Sequence, residues 1–178
     1  MSGKILIAPE YHEIVGPLVF LAGPIQGALD WQAQAICILQ KYAPELHIAN
    51  PRRPLKHEGD FTKQMFNAQT DWETYYLNRA AYGKGAILFW LAKETEHFCN
   101  RSYAQTSRFE LSEWKVKHER DGVKLVVGIE TAQNEGKEKD AFTGAKYMRR
   151  RFAQDCPEIA ILSTLEETCE RVVKEIHP

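Results

Sequence analysis

The chain has 178 residues, 44% hydrophobic and 26% charged, and its 23 basic and 24 acidic side chains leave a formal net charge of −1. That is apolar material enough for a sizeable core, expected in one domain spanning 1–178. So balanced a surface gives no electrostatic reason to expect a nucleic acid polymer or a membrane as partner. Cys37, Cys99, Cys156 and Cys169 lie far apart with no CxxC or Cys/His metal spacing, which argues against a disulfide framework or structural zinc and for reduced thiols. The N-terminal MSGKILIAPEYHE lacks the plan of a signal peptide, and the longest apolar run, 86–92, is far short of the roughly 20 residues that span a bilayer. A cytoplasmic protein is the expectation.

Short β-rich runs alternate with longer helix-like segments, the pattern of βαβ units around a mostly parallel sheet. Leu18–Ala22 reads as a first strand, closed by Gly23-Pro24, and 30–42 as a helix that stops before Pro44. Residues 46–50 read as a second strand, stopped by Asn50-Pro-Arg-Arg-Pro54, and 62–82 as a long helix with Phe66, Trp72, Tyr75, Tyr76 and Ala80 on its apolar side. The run GAILFWL at 85–91 is the strongest strand signal, continuous enough for a central strand covered on both faces. A helix follows at about 107, then strands at 123–129 and 159–162 and a closing helix at 165–176. The polar stretch 130–141 is expected as a mobile surface loop, and Arg149-Arg150-Arg151 as a solvated helix face.

Five strands with intervening helices predict a doubly wound, flavodoxin- or Rossmann-like domain with strand order 2-1-3-4-5, the crossovers being right-handed. Ligands then bind outside the carboxyl ends of the first and third strands. Gly23, Pro24 and Gln26 face that edge, where a Gly allows close backbone approach. So do Asn50, Arg52 and Arg53, either arginine being able to meet a phosphate or carboxylate, and the 92–110 connection. Trp72, Trp90 and Trp114 are core or pocket wall, able to stack on a base. No GxGxxG, P-loop or GxSxG motif occurs, and the scattered histidines offer no metal set, so neither a cofactor nor a catalytic metal is expected.

The stretch TSRFELSEW, 106–114, admits two readings. Ser107 and Glu110 form an S-x-x-E capping box where a helix should begin. The same Glu110 also falls at the ligand-binding edge, near the positive end of the helix dipole, which favours the ionised carboxylate that a nucleophile needs. In QTDWE, 69–73, Asp71 and Glu73 are two residues apart and on a helix point roughly 200° away from each other, so only one can face a given cleft.

Taken together and in order, FLAGPI, NPRRP, QTDWETYYLNRA, GAILFWL and TSRFEL resemble the nucleoside 2-deoxyribosyltransferase-like family over residues 17–130. The resemblance implies cleavage or transfer at the N-glycosidic bond of a (deoxy)nucleoside or nucleotide, with Glu110 as the nucleophile that forms a glycosyl-enzyme ester. It implies Glu73 as the assisting acid, with Asp71 the alternative, and a homodimer or larger homo-oligomer. Two departures stand out. Phe20 occupies the place of a first-strand tyrosine that orients the nucleophile, leaving Tyr103 or Ser107 to do so, and a bulky approach carrying Arg108 replaces a glycine-rich one. They keep two rivals open: a nucleotide-binding or sensing module without chemistry, and an NAD-type N-glycosidase using the same glutamate.

Overall fold

The computed structural model describes residues 2–53, 62–98, 100, 102–134 and 137–177. Five parallel strands form one sheet in the order β1-β3-β2-β4-β5. They are β1 Ile5–Ile7, β2 Leu18–Ala22, β3 His47–Asn50, β4 Ala86–Leu91 and β5 Leu125–Ile129. Every residue of β2, β4 and β5 is buried, as near-continuous apolar runs require when helices cover both faces of a parallel sheet. Helices α1 Trp31–Tyr42 and α5 Leu165–Ile176 cover one face; α2 Lys63–Tyr82 and α3 Gln105–Asp121 cover the other, with α4 Ala145–Asp155 packing Phe152 into the same core.

The doubly wound class and the order of the inner strands are as expected, and the differences lie at the edges. The run Ile5–Ile7, too short to stand out as a strand, pairs in parallel with Ile48–Asn50 and becomes the outer strand. It is anchored through His47, whose Nδ1 accepts from the Lys4 amide at 2.9 Å while its Nε2 donates to Val15 O at 3.0 Å. The expected strand 159–162 shrinks to a single parallel bridge between Gly128 and Leu162. Between the C-cap of α4 at Cys156 and the N-cap of α5 at Thr164 there is room for little more, because both helix ends take up their flanking residues.

The polar stretch expected as a mobile loop is instead a hairpin, β6 Thr131–Asn134 antiparallel to β7 Lys137–Asp140. Polarity misled there because a two-stranded ribbon outside the main sheet has little to bury. Within the basic cluster, Arg149 pairs with Asp140 at 2.7 Å and Arg151 with Asp155 at 2.8 Å, so these arginines bind neighbouring carboxylates. Cys37, Cys156 and Cys169 are free thiols, and Cys99 lies outside the described residues, as does Pro54 of the NPRRP motif. No helix among the described residues is long and apolar enough to cross a membrane.

Candidate active site

Helices α2 and α3 follow successive inner strands back across the same face of the sheet, and a cleft of about 620 Å³ lies between them. Its α2 wall is Thr70, Glu73, Thr74, Leu77 and Asn78, a set spaced by three and four residues and hence one helical face. Its α3 wall, with the same spacing, includes Thr106, Phe109, Glu110, Glu113, Trp114 and Lys117. Glu73 and Glu110 thus open into one cavity from opposite helices. Asp71, turned away as its two-residue offset demands, is exposed and outside this lining.

The capping-box reading of Ser107 and Glu110 does not hold. Helix α3 begins earlier, at Gln105, with Ala104 as N-cap in the left-handed region at φ 54° and no side-chain cap. Ser107 is therefore a buried first-turn residue, and Glu110, the sixth of the helix, sits in the second turn. There the helix dipole has largely faded, and burial governs instead. Withdrawal from water first, then the negative charges of Glu73 and Glu113, push the Glu110 carboxyl up to about 7. The expectation that the dipole would keep this carboxylate ionised is thus corrected: the site favours its protonated form.

Glu73 is held differently. Burial raises it as well, but a hydrogen bond from Gln69 Nε2 to its Oε1 at 2.8 Å and the nearby Arg53 guanidinium oppose that rise. Glu110 receives no hydrogen bond from the described residues, so the two carboxyls share a cleft with unequal support. The cation on the α3 wall, Lys117, is committed to Glu113 at 2.6 Å and lies 3.8 Å over the Trp114 ring.

The remaining predicted residues have other contacts. A Cβ on Gly23, at φ 151°, would run into the Trp90 carbonyl, so this glycine is required by strand packing. Pro24 is buried and its carbonyl accepts from Trp31 Nε1 at 2.8 Å, whereas Gln26 is exposed. Asn50 Oδ1 accepts from the Arg52 amide at 3.0 Å, closing a turn. Arg52 itself spends its guanidinium on Gln32 at 2.9 Å and on the Ile25 and Leu29 carbonyls, each at 3.1 Å, and so braces the loop after β2.

Trp72 is wholly buried against Phe20 and Tyr76 and donates to Glu10 O at 2.8 Å. Trp90 packs beside Gly128 and lines a different, smaller cavity. Tyr103, offered as a substitute for the missing tyrosine, directs its hydroxyl to the Ala92 and Lys93 carbonyls at 2.8 and 3.0 Å. Its one proton is spent there. Arg108 turns to Thr143 O at 2.9 Å and lies 4.7 Å over the Phe142 ring.

The connection after β4 folds over the loop after β2. Gly27 O accepts from the Thr95 amide at 2.7 Å and its hydroxyl at 3.1 Å, and Gly27, at φ 82°, packs against the Tyr103 ring. This clasp lies over the strand ends where ligands of doubly wound folds usually bind, and the α3 wall of the α2–α3 cleft begins at Gln105, two residues past Tyr103. Sequence reasoning named Glu73, Glu110 and Trp114 of the cleft's lining and offered Arg53 as one of two arginines able to meet an anion, but gave no role to Gln69, which stands behind the cleft. The i, i+4 spacing of Gln69 to Glu73 was the available signal.

Fold and cleft together define a class: an α/β protein that presents three carboxyl groups to one pocket, Glu113 paired with Lys117 and Glu73 and Glu110 left unequal, a set suited to acid and nucleophile roles. A family model described as nucleoside 2-deoxyribosyltransferase like matches residues 16–131, and the chain belongs to that family. Membership carries a general role in glycosyl transfer on nucleosides. No curated protein matches the chain.

Proposed function

We propose that the protein cleaves the N-glycosidic bond of a (deoxy)nucleoside or nucleotide and passes the sugar to a second base or to water through an ester on Glu110. The observation that carries the reading is the pair Glu73 and Glu110, half-buried in one cleft, one tied by a hydrogen bond from Gln69 and the other receiving none from the described residues. A nucleophile and an acid in retaining glycosyl chemistry need that inequality.

Near neutral pH Glu110, pushed up to about 7, holds its proton about half the time, and the protonated form starts the reaction. As substrate enters, that proton passes to Glu73 and on to the leaving base, while the freed Glu110 carboxylate attacks the anomeric carbon. The C–N bond breaks, an ester C–O bond forms, the base departs protonated and Glu73 is left ionised. In the second half an incoming base, or water, gives its proton to Glu73 and displaces Glu110. Charge balances throughout: one negative charge on the pair before, and one on Glu73 in the ester. The exposed Phe109 ring supplies a face against which a base can stack, with Leu77 beside it in the apolar lining.

The test is to incubate the protein with each deoxynucleoside and its monophosphate in the presence of adenine and to follow the bases by chromatography. Exchanged nucleoside or free base is expected, and its loss in Glu110→Ala; no product from any substrate would overturn the reading. That no described residue donates a hydrogen bond to orient Glu110 favours a second reading, a nucleotide-binding module without chemistry. Calorimetry showing tight nucleotide binding with no turnover would select it.

A further inference from the structure

The Gln69 amide uses both of its N–H groups and its oxygen. Nε2 donates to Glu73 Oε1 at 2.8 Å and to the Pro51 carbonyl at 2.9 Å, while Oε1 accepts from Arg53 Nε at 2.9 Å. Two acceptors at one end and a guanidinium at the other leave one sensible amide orientation. Gln69 stands one turn before Glu73 on the same face of α2, and Pro51 and Arg53 belong to the connection after β3. The contact therefore joins a carboxyl in the cleft to a different segment of the chain, with Arg53 fastened in turn to the Met65 carbonyl at 3.5 Å.

We propose that Gln69, backed by Arg53, is the positioning residue for Glu73: it pins one carboxyl oxygen to the loop after β3 and leaves the other for the reacting groups. Glu73 Oε2 takes no hydrogen bond from the described residues, so it is the oxygen available to receive and release a proton. A long carboxylate side chain held at one oxygen loses the rotamer freedom that would otherwise dilute its reactive placement.

The tie also decides where the pair's proton rests. The groups around Glu73 are Arg53 from the loop after β3 and, across the cleft, Glu110 and the Glu113–Lys117 pair from α3. Gln69 and Arg53 favour ionised Glu73, in opposition to its burial, and Glu110 has no such support. Without the tie, Glu73 would compete with Glu110 for the proton from the outset, and the carboxyl that must receive it would already be occupied.

The role rests on the glycosyl-transfer reading, but the tie can be tested without turnover. Wild type, Gln69→Leu and Arg53→Met, labelled with ¹³C at glutamate carboxyls, are titrated by NMR, with Glu73→Gln and Glu110→Gln giving the assignments and circular dichroism verifying the fold. Gln69→Leu is expected to raise the Glu73 midpoint and lower that of Glu110, because a less ionised Glu73 repels its neighbour less. Arg53→Met should move both the same way by less, and it serves as the test should Gln69→Leu fail to fold.

In turnover, Gln69→Leu should lower kcat about tenfold with little change in KM, within the range that acid–base catalysis supplies, and move the acid limb of the pH profile upward. A Glu73 midpoint that stays put in the folded variants would overturn the tie. Midpoints that move in the variants while the wild-type protein shows no turnover would keep the tie and remove the glycosyl reading instead.

Discussion

Replacing Glu110 by Gln should make the protein more stable at alkaline pH and leave acid stability unchanged. The carboxyl titrates near 7 in the folded chain and near 4.5 when exposed. Its folded value is the higher one, so the native state binds more protons between those limits, and stability declines as pH rises from about 4.5 to 7. Each pH unit between the midpoints is worth about 1.4 kcal/mol, and the open side of the cleft screens part of it, which leaves about 2 kcal/mol above pH 8. The neutral amide avoids that cost. In a protein of this size about 2 kcal/mol is about 4–8 °C in Tm. Thermal melts of wild type and Glu110→Gln from pH 4 to 9 should coincide at the acid end and separate by that amount at the alkaline end. A pH-independent gap, or a variant less stable at pH 8, would refute the claim that burial and Glu73 hold Glu110 protonated.

Other outcomes follow from the same geometry. The pH profile of kcat/KM should fall as pH rises through about 7, where the pair loses its shared proton, and Glu73→Gln should lower the Glu110 midpoint in a direct titration. Asp71→Asn should leave kcat/KM within about twofold while Glu73→Gln lowers it by about 10²–10⁴, since only the latter carboxyl lines the cleft. Gly128→Ala should cost about 2 kcal/mol by thermal melt, because the added methyl meets the Trp90 ring and Thr168 Oγ1. Trp72→Phe should cost about 1 kcal/mol and speed proteolysis within residues 8–16, as the indole bond to Glu10 O is lost.

The inner sheet was legible because its residues are chosen for burial on both faces. LVFLA and GAILFWL leave no alternative to central strands. Ile5–Ile7 was not, since an edge strand of three residues with Ile5 38% exposed carries no periodic signal. The start of α3 was misplaced for a similar reason: the S-x-x-E pattern is local, whereas Ala104 reaches its left-handed conformation beside a Tyr103 held by contacts distant in sequence. Within the site, helical spacing separated Glu73 from Asp71, but it does not report charge environment. That Arg53 supports Glu73 while Arg52 braces a loop depends on how the turn after Asn50 directs two adjacent side chains, and NPRRP reads the same either way.

The central claim is that Glu110 carries the sugar. Acid-quenching the protein during reaction with a deoxynucleoside, digesting with trypsin and sequencing peptide 109–115 by mass spectrometry tests it most directly. One deoxyribosyl group on Glu110, absent from Glu113 of the same peptide and absent in Glu110→Gln, is the predicted result. Turnover with an unmodified peptide, or with the sugar on another residue, would contradict it.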